Sequence, residues 1–144
     1  MRYLYLIIIL LLLNGCKTGP INQKTNKKKV GLWIEHYSID TTHYKSVGRY
    51  KNGEPLRKWF YYTNDKISKK EIYSKNKCVI TYYNTNGTIQ SKGKSKLVVT
   101  GPELHWFYYG NWKYFDEKGR LIAIKKYDKG EFVSEIIPSP LAKK

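Results

Sequence analysis

The sequence predicts an all-β protein made of consecutive antiparallel β-hairpins. Its apolar runs are about four to six residues long, which suits strands better than helices. Aromatic residues, which fit a pleated surface, make up 15% of the chain, with 14 Tyr, 4 Trp and 4 Phe. Between these runs recur short polar pairs with turn chemistry: Asn52-Gly53, Asn64-Asp65, Asn86-Gly87, Lys118-Gly119 and Lys129-Gly130. Gly, Asn and Asp tolerate positive φ, the backbone state that tight hairpin turns require.

The hairpins repeat. One unit runs from Gly110 through Trp112, Tyr114 and Phe115 to the turn at Gly119, returns at Leu121, and continues to Tyr127 and Gly130. An earlier unit places Tyr82, Tyr83, Gly87 and Ile89 where Tyr114, Phe115, Gly119 and Leu121 stand. A third has Trp59, Tyr61, Tyr62, Asp65 and Ile67, followed by Ile72 and Tyr73. The first has Gly31, Trp33 and Tyr37 and closes on Tyr50 and Gly53. Trp112 and Tyr114 share one face of their strand and Phe115 the other, so aromatic side chains are expected on both faces. Three stretches depart from the period. Residues 94–109 insert an extra segment with a break at Gly101-Pro102 and four consecutive aromatics, Trp106, Phe107, Tyr108 and Tyr109. Residues 75–77 lack the turn glycine, and residues 38–44 are longer and more polar than a minimal turn.

The motifs Gly-x-Trp-x-x-x-Tyr at 31–37, Gly-x-Trp-x-Tyr-Phe at 110–115 and Tyr-x-x-Gly at 50–53 and 127–130 resemble MORN repeats. More closely they are similar to the bacterial MORN-variant repeats described as antitoxin-like. The resemblance covers residues 30–133. It implies an elongated, curved sheet of antiparallel hairpins, and it brings with it the reading of an antitoxin or immunity-type protein that neutralises a toxin by binding it.

The first sixteen residues are of another kind. A positive start at Arg2, an apolar run from Tyr3 to Leu13 and the small Gly15 before Cys16 are the parts of a secretory signal. Crossing the hydrocarbon core takes roughly 20 apolar residues, more than this run supplies. The segment Leu13-Asn14-Gly15-Cys16 resembles the lipobox of bacterial lipoproteins, with Asn14 in place of the usual small or apolar residue. That resemblance implies a signal peptide over residues 1–15, cleavage before Cys16, and a lipid on its sulfur that holds the protein to a membrane of the cell envelope. Residues 16–29, rich in Lys with no acid, read as a flexible tether, residues 30–133 as the repeat domain and residues 134–144 as an irregular tail.

The charge is the remaining signal. The chain has 27 Lys and Arg against 11 Asp and Glu, a formal net charge of +16. Such a balance attracts anionic partners: nucleic acid, an anionic membrane surface, an acidic envelope polymer or glycan, or an acidic protein. Export argues against nucleic acid, and so does the shortage of Arg, the residue suited to bidentate phosphate contacts.

Residue by residue, no catalytic set, metal site or cofactor motif is expected. His36, His43 and His105 lack ligand spacing. Asp116-Glu117 is an adjacent pair in a turn, not two carboxyls facing across a cleft. Cys78, beside Val79 and Ile80, reads as a small buried strand residue. The expected function is therefore a non-enzymatic β scaffold for protein or envelope interactions. Trp106, Phe107, Tyr108 and Tyr109 are the first candidates for its surface, with Trp59 and Trp112 beside them.

Overall fold

The structure, a computed structural model, describes residues 19–138; the segment expected as a signal peptide, residues 1–15, and the expected lipidation site, Cys16, lie outside the described residues. Ten strands follow one another: β1 (Gln23–Thr25), β2 (Lys28–Ile39), β3 (Thr42–Lys51), β4 (Glu54–Thr63), β5 (Lys66–Ser74), β6 (Lys77–Tyr83), β7 (Ile89–Thr100), β8 (Glu103–Phe115), β9 (Leu121–Asp128) and β10 (Glu131–Ile136). They form one sheet in sequence order, each strand antiparallel to the next. Every connection is a short hairpin turn, so each strand's backbone groups find partners in its immediate neighbours along the chain.

The turns are those the sequence marks. At Asn52-Gly53, Asn64-Asp65 and Lys129-Gly130 both central residues have positive φ, the two-residue turn whose twist matches that of the flanking strands. Residues 38–44, expected as a longer turn, close as tightly. Strands β2 and β3 pair as far as Ile39 and Thr42, and Tyr37 stacks on Tyr44 at 4.7 Å. The extra segment at 94–109 is a long hairpin, β7–β8, whose tip projects beyond the β5–β6 turn; the Leu97 N–H closes that junction on the Asn76 carbonyl at 2.8 Å.

The boundaries differ from those expected at both ends. Residues 23–29, assigned to the flexible tether, are β1 and the start of β2, joined by a turn at Asn26-Lys27 with positive φ at both residues. The physical reason is a side chain. Asn22 accepts from the Ile34 N–H at 2.8 Å and donates to the Ile34 carbonyl at 2.9 Å, as a paired strand residue would. Its own N–H reaches the Leu32 carbonyl. At the other end β10 carries the sheet three residues past 133, into the segment expected as an irregular tail.

Directly opposed residues share a face, and successive residues alternate between faces. Tracing the registers across the sheet puts Trp33, Trp59, Glu71, Cys78, Ile80, Ser91, Ser95, Trp112 and Ala123 on one face. These are the buried side chains of the described residues, apart from Thr81 on the other face. The sheet thus covers one face with its own aromatic rings. The densest part joins Cys78, Ile80 and Trp112, with Tyr73, Tyr82, Tyr108, Tyr114 and Tyr127 packed around them.

Candidate functional site

Two tryptophans organise the aromatic face by the same device. Trp59 lies over Gly48 and Trp112 over Gly93, so closely that a Cβ added to either glycine would stand 2.0 Å from the indole. Neither glycine is in the left-handed region; the requirement is purely the room for the ring. Each indole N–H then donates to the carbonyl of the residue after its glycine, Trp59 to Arg49 at 3.2 Å and Trp112 to Lys94 at 3.0 Å. The pairing slips at both glycines, between Val47 and Arg49 and between Lys92 and Lys94. Trp33 donates to the Val30 carbonyl at 3.0 Å and meets Tyr50 edge-on.

Polar groups on this face are spent on one another. Buried Glu71 accepts from the hydroxyls of Tyr61 at 2.7 Å and Tyr73 at 2.8 Å, and from the Lys69 ammonium at 2.8 Å. Burial, together with Glu71, keeps both tyrosines protonated far above their usual range. Tyr82 shares a hydroxyl bond with Tyr108 at 3.1 Å, and Tyr114 with Tyr127 at 3.2 Å. Among the described residues no buried side-chain nitrogen or oxygen lacks a partner. The Cys78 thiol is pushed up to about 11 by burial, then by Glu71, so it is protonated and unreactive at neutral pH.

The remaining ionisable candidates lie apart. His36 and His43 are exposed; His43 is bonded to Ser38 and exposed His105 to Glu103. No group of three or more His, Cys, Asp or Glu side chains is placed to hold a metal ion among the described residues. Asp116 is occupied by its turn, accepting from the backbone N–H groups of Arg120 and Lys118 and from the Arg120 side chain, which together lower its pKa. It lines an open depression of about 520 Å³ with Glu117, Tyr114 and Phe115.

The six aromatic candidates do not form one surface. Trp59 and Trp112 are core residues, 3% and 1% exposed. Trp106 and Tyr108 point to the aromatic face, Phe107 and Tyr109 to the opposite one. Trp106, 40% exposed, sits edge-on against Tyr73 at the base of the projecting hairpin, and Val99 and Leu104 stand opposed near its tip.

The face opposite the aromatic core is where the charge collects. Along β7 the pattern Ser91-Lys92-Gly93-Lys94-Ser95-Lys96 alternates buried small residues with exposed lysines. The small residues turn inward beneath Tyr114, Trp112 and Tyr108; the lysines turn outward. The registers add Lys70 and Lys77 from β5 and β6, and Lys113 from β8, to the same face. Two acids lie between Lys70 and Lys113 in sequence. Glu71 is on the aromatic face, and Glu103 pairs with Thr100 at the far end of the hairpin. Composition alone had shown the charge; the period-two alternation at 91–96 is the signal that places it.

No protein-family model matches the chain, and neither does any curated protein or any solved structure.

Proposed function

We propose that the chain is an envelope lipoprotein, held to a membrane through Cys16, whose hairpin array is a non-enzymatic scaffold of the MORN-variant kind. Its role on this reading is to present a β surface to protein or polymer components of the envelope. The observation that carries it is the division of labour between the faces. One face is closed on itself, with its buried hydroxyls, carboxylate and indole N–H groups bonded to their own neighbours. The other turns uncompensated lysines outward.

The anchor would hold the sheet close to the bilayer. From Cys16 to Asn22, the first residue clamped to β2, the chain reaches at most about 20 Å when fully extended. Cross-linking in the native cell followed by purification from detergent-solubilised membranes tests the reading. A reproducible envelope partner at physiological salt is the expected result. A protein found in the soluble fraction, or one with no reproducible partner, would contradict it.

A further inference from the structure

We infer that the lysine face of strands β5 to β8 is a docking surface for a linear anionic glycopolymer carrying one phosphate or carboxylate per repeating unit. The inference gives the envelope scaffold proposed above a ligand class. The geometry is a grid. Lys92, Lys94 and Lys96 stand at alternate positions of β7, about 7 Å apart along the strand. Lys96 is directly opposite Lys77, and Lys92 opposite Lys113. Thr81 links Lys92 across β6 to Lys70 of β5. Strands are about 4.8 Å apart, so six ammonium groups share a patch roughly 14 Å on each side. No acid lies within it.

Each class of anionic partner asks for something different. Protein interfaces are depleted in Lys at their centres and built on buried aromatic or Arg anchors. Here the centre of the patch is Lys92, Lys94 and Lys96, all exposed, and the aromatics opposite them, Phe107 and Tyr109, are half-buried beside the lysine row on β8. Specific nucleic-acid contacts favour the planar Arg fork, and none of the six is Arg. A single small anion needs a walled site, whereas this face is open and its charges are point-like and periodic. Repetition of charge at several ångströms along a flexible chain is the feature that a periodic grid of flexible ammonium groups matches. Binding releases the counterions of both partners and depends steeply on salt.

The test uses the full chain in nanodiscs of zwitterionic lipid, with polyglycerol phosphate and polygalacturonate as probes. Lysine acetylation, read by mass spectrometry, reports protection at the six positions. The expected result is slowed acetylation at these six with at least one polymer. With about five contacts at about 0.7 counterion each, affinity should fall about a hundredfold between about 50 and about 200 mM salt. Lys92→Gln, Lys94→Gln and Lys96→Gln together should lower the magnitude of that salt slope by about two. The proposal is overturned if neither polymer protects these lysines or the triple variant binds as before. It is also overturned if discs made instead with anionic lipid protect them where the polymers do not, or if a short single-stranded DNA of equal charge binds as tightly. The N-terminal peptide of the same digest reports the lipid at Cys16 separately, so failure of the anchor and failure of the docking face are told apart.

Discussion

Replacing Gly93 by Ala adds one methyl group at a position of ordinary φ, where helix or strand propensity would make it harmless or mildly favourable. Packing predicts the opposite. The new Cβ would stand 2.0 Å from Cδ2 of Trp112 and 2.3 Å from Cε2 and Cγ, so the indole must leave its place. Trp112 is the most buried side chain of the core, stacked on Tyr108 at 3.9 Å and bonded to the Lys94 carbonyl. A displaced indole forfeits burial of about 150–250 Å² at roughly 25 cal/mol per Å², about 4–6 kcal/mol at most, part of which is recovered by relaxation. The expected loss is about 3–5 kcal/mol, similar to that of Trp112→Ala. Urea unfolding followed by circular dichroism measures it, and a double-mutant cycle isolates the cause. In a Trp112→Ala background, Gly93→Ala should cost less than about 0.5 kcal/mol. Additive losses, or a single-variant loss below about 1 kcal/mol, would refute the account of the glycine as the seat of the tryptophan.

Other outcomes follow from the same packing. Gly48→Ala should behave alike through Trp59, with the two sites adding nearly independently when measured together by urea unfolding. Glu71→Ala strands the Lys69 ammonium and two tyrosine hydroxyls and should cost about 3 kcal/mol, with Glu71→Gln milder because it still accepts a bond; thermal melts rank the two. The Cys78 thiol stays protonated in the fold up to about 11 but ionises near its ordinary value of 9.0 once unfolded. Its contribution is therefore full below that ordinary value and is lost as pH rises to about 11, a decline of about 2–3 kcal/mol at most. Alkaline unfolding of Cys78→Ala should lack this part of the decline. Lys92→Gln, Lys94→Gln and Lys96→Gln together should stabilise the sheet by about 0.5–1 kcal/mol at low salt, since neighbouring ammonium groups repel by about 0.6 kcal/mol at 7 Å in water. The gain should shrink in high salt. A melting temperature that falls in the triple variant would show the lysines to be structural.

Much of this fold was readable because its information is local. Each strand pairs with its chain neighbours, so the turn pairs Asn52-Gly53 and Lys129-Gly130 and the short apolar runs between them carry the architecture. Where a contact bridges distant residues, sequence reasoning fell short. The clamp of Asn22 on Ile34 turns a stretch with a disordered composition into a strand, and nothing in the composition announces it. Trp59 and Trp112 stand among the surface candidates because an aromatic residue in a strand reads alike on either face. Gly48 and Gly93 were the available clue, since a glycine inside a strand often marks the close approach of another group. The basic face was visible in the Lys alternation at 92–96, but assembling it with Lys70, Lys77 and Lys113 required the register.

The central claim, that this sheet is carried on a lipid-modified cysteine, is tested most directly by the mass of the mature N-terminus from native membranes. The account predicts a chain beginning at Cys16 and bearing a diacylglycerol-type lipid on its sulfur. A chain that retains Met1, or that is cut elsewhere and leaves Cys16 unmodified, would contradict it.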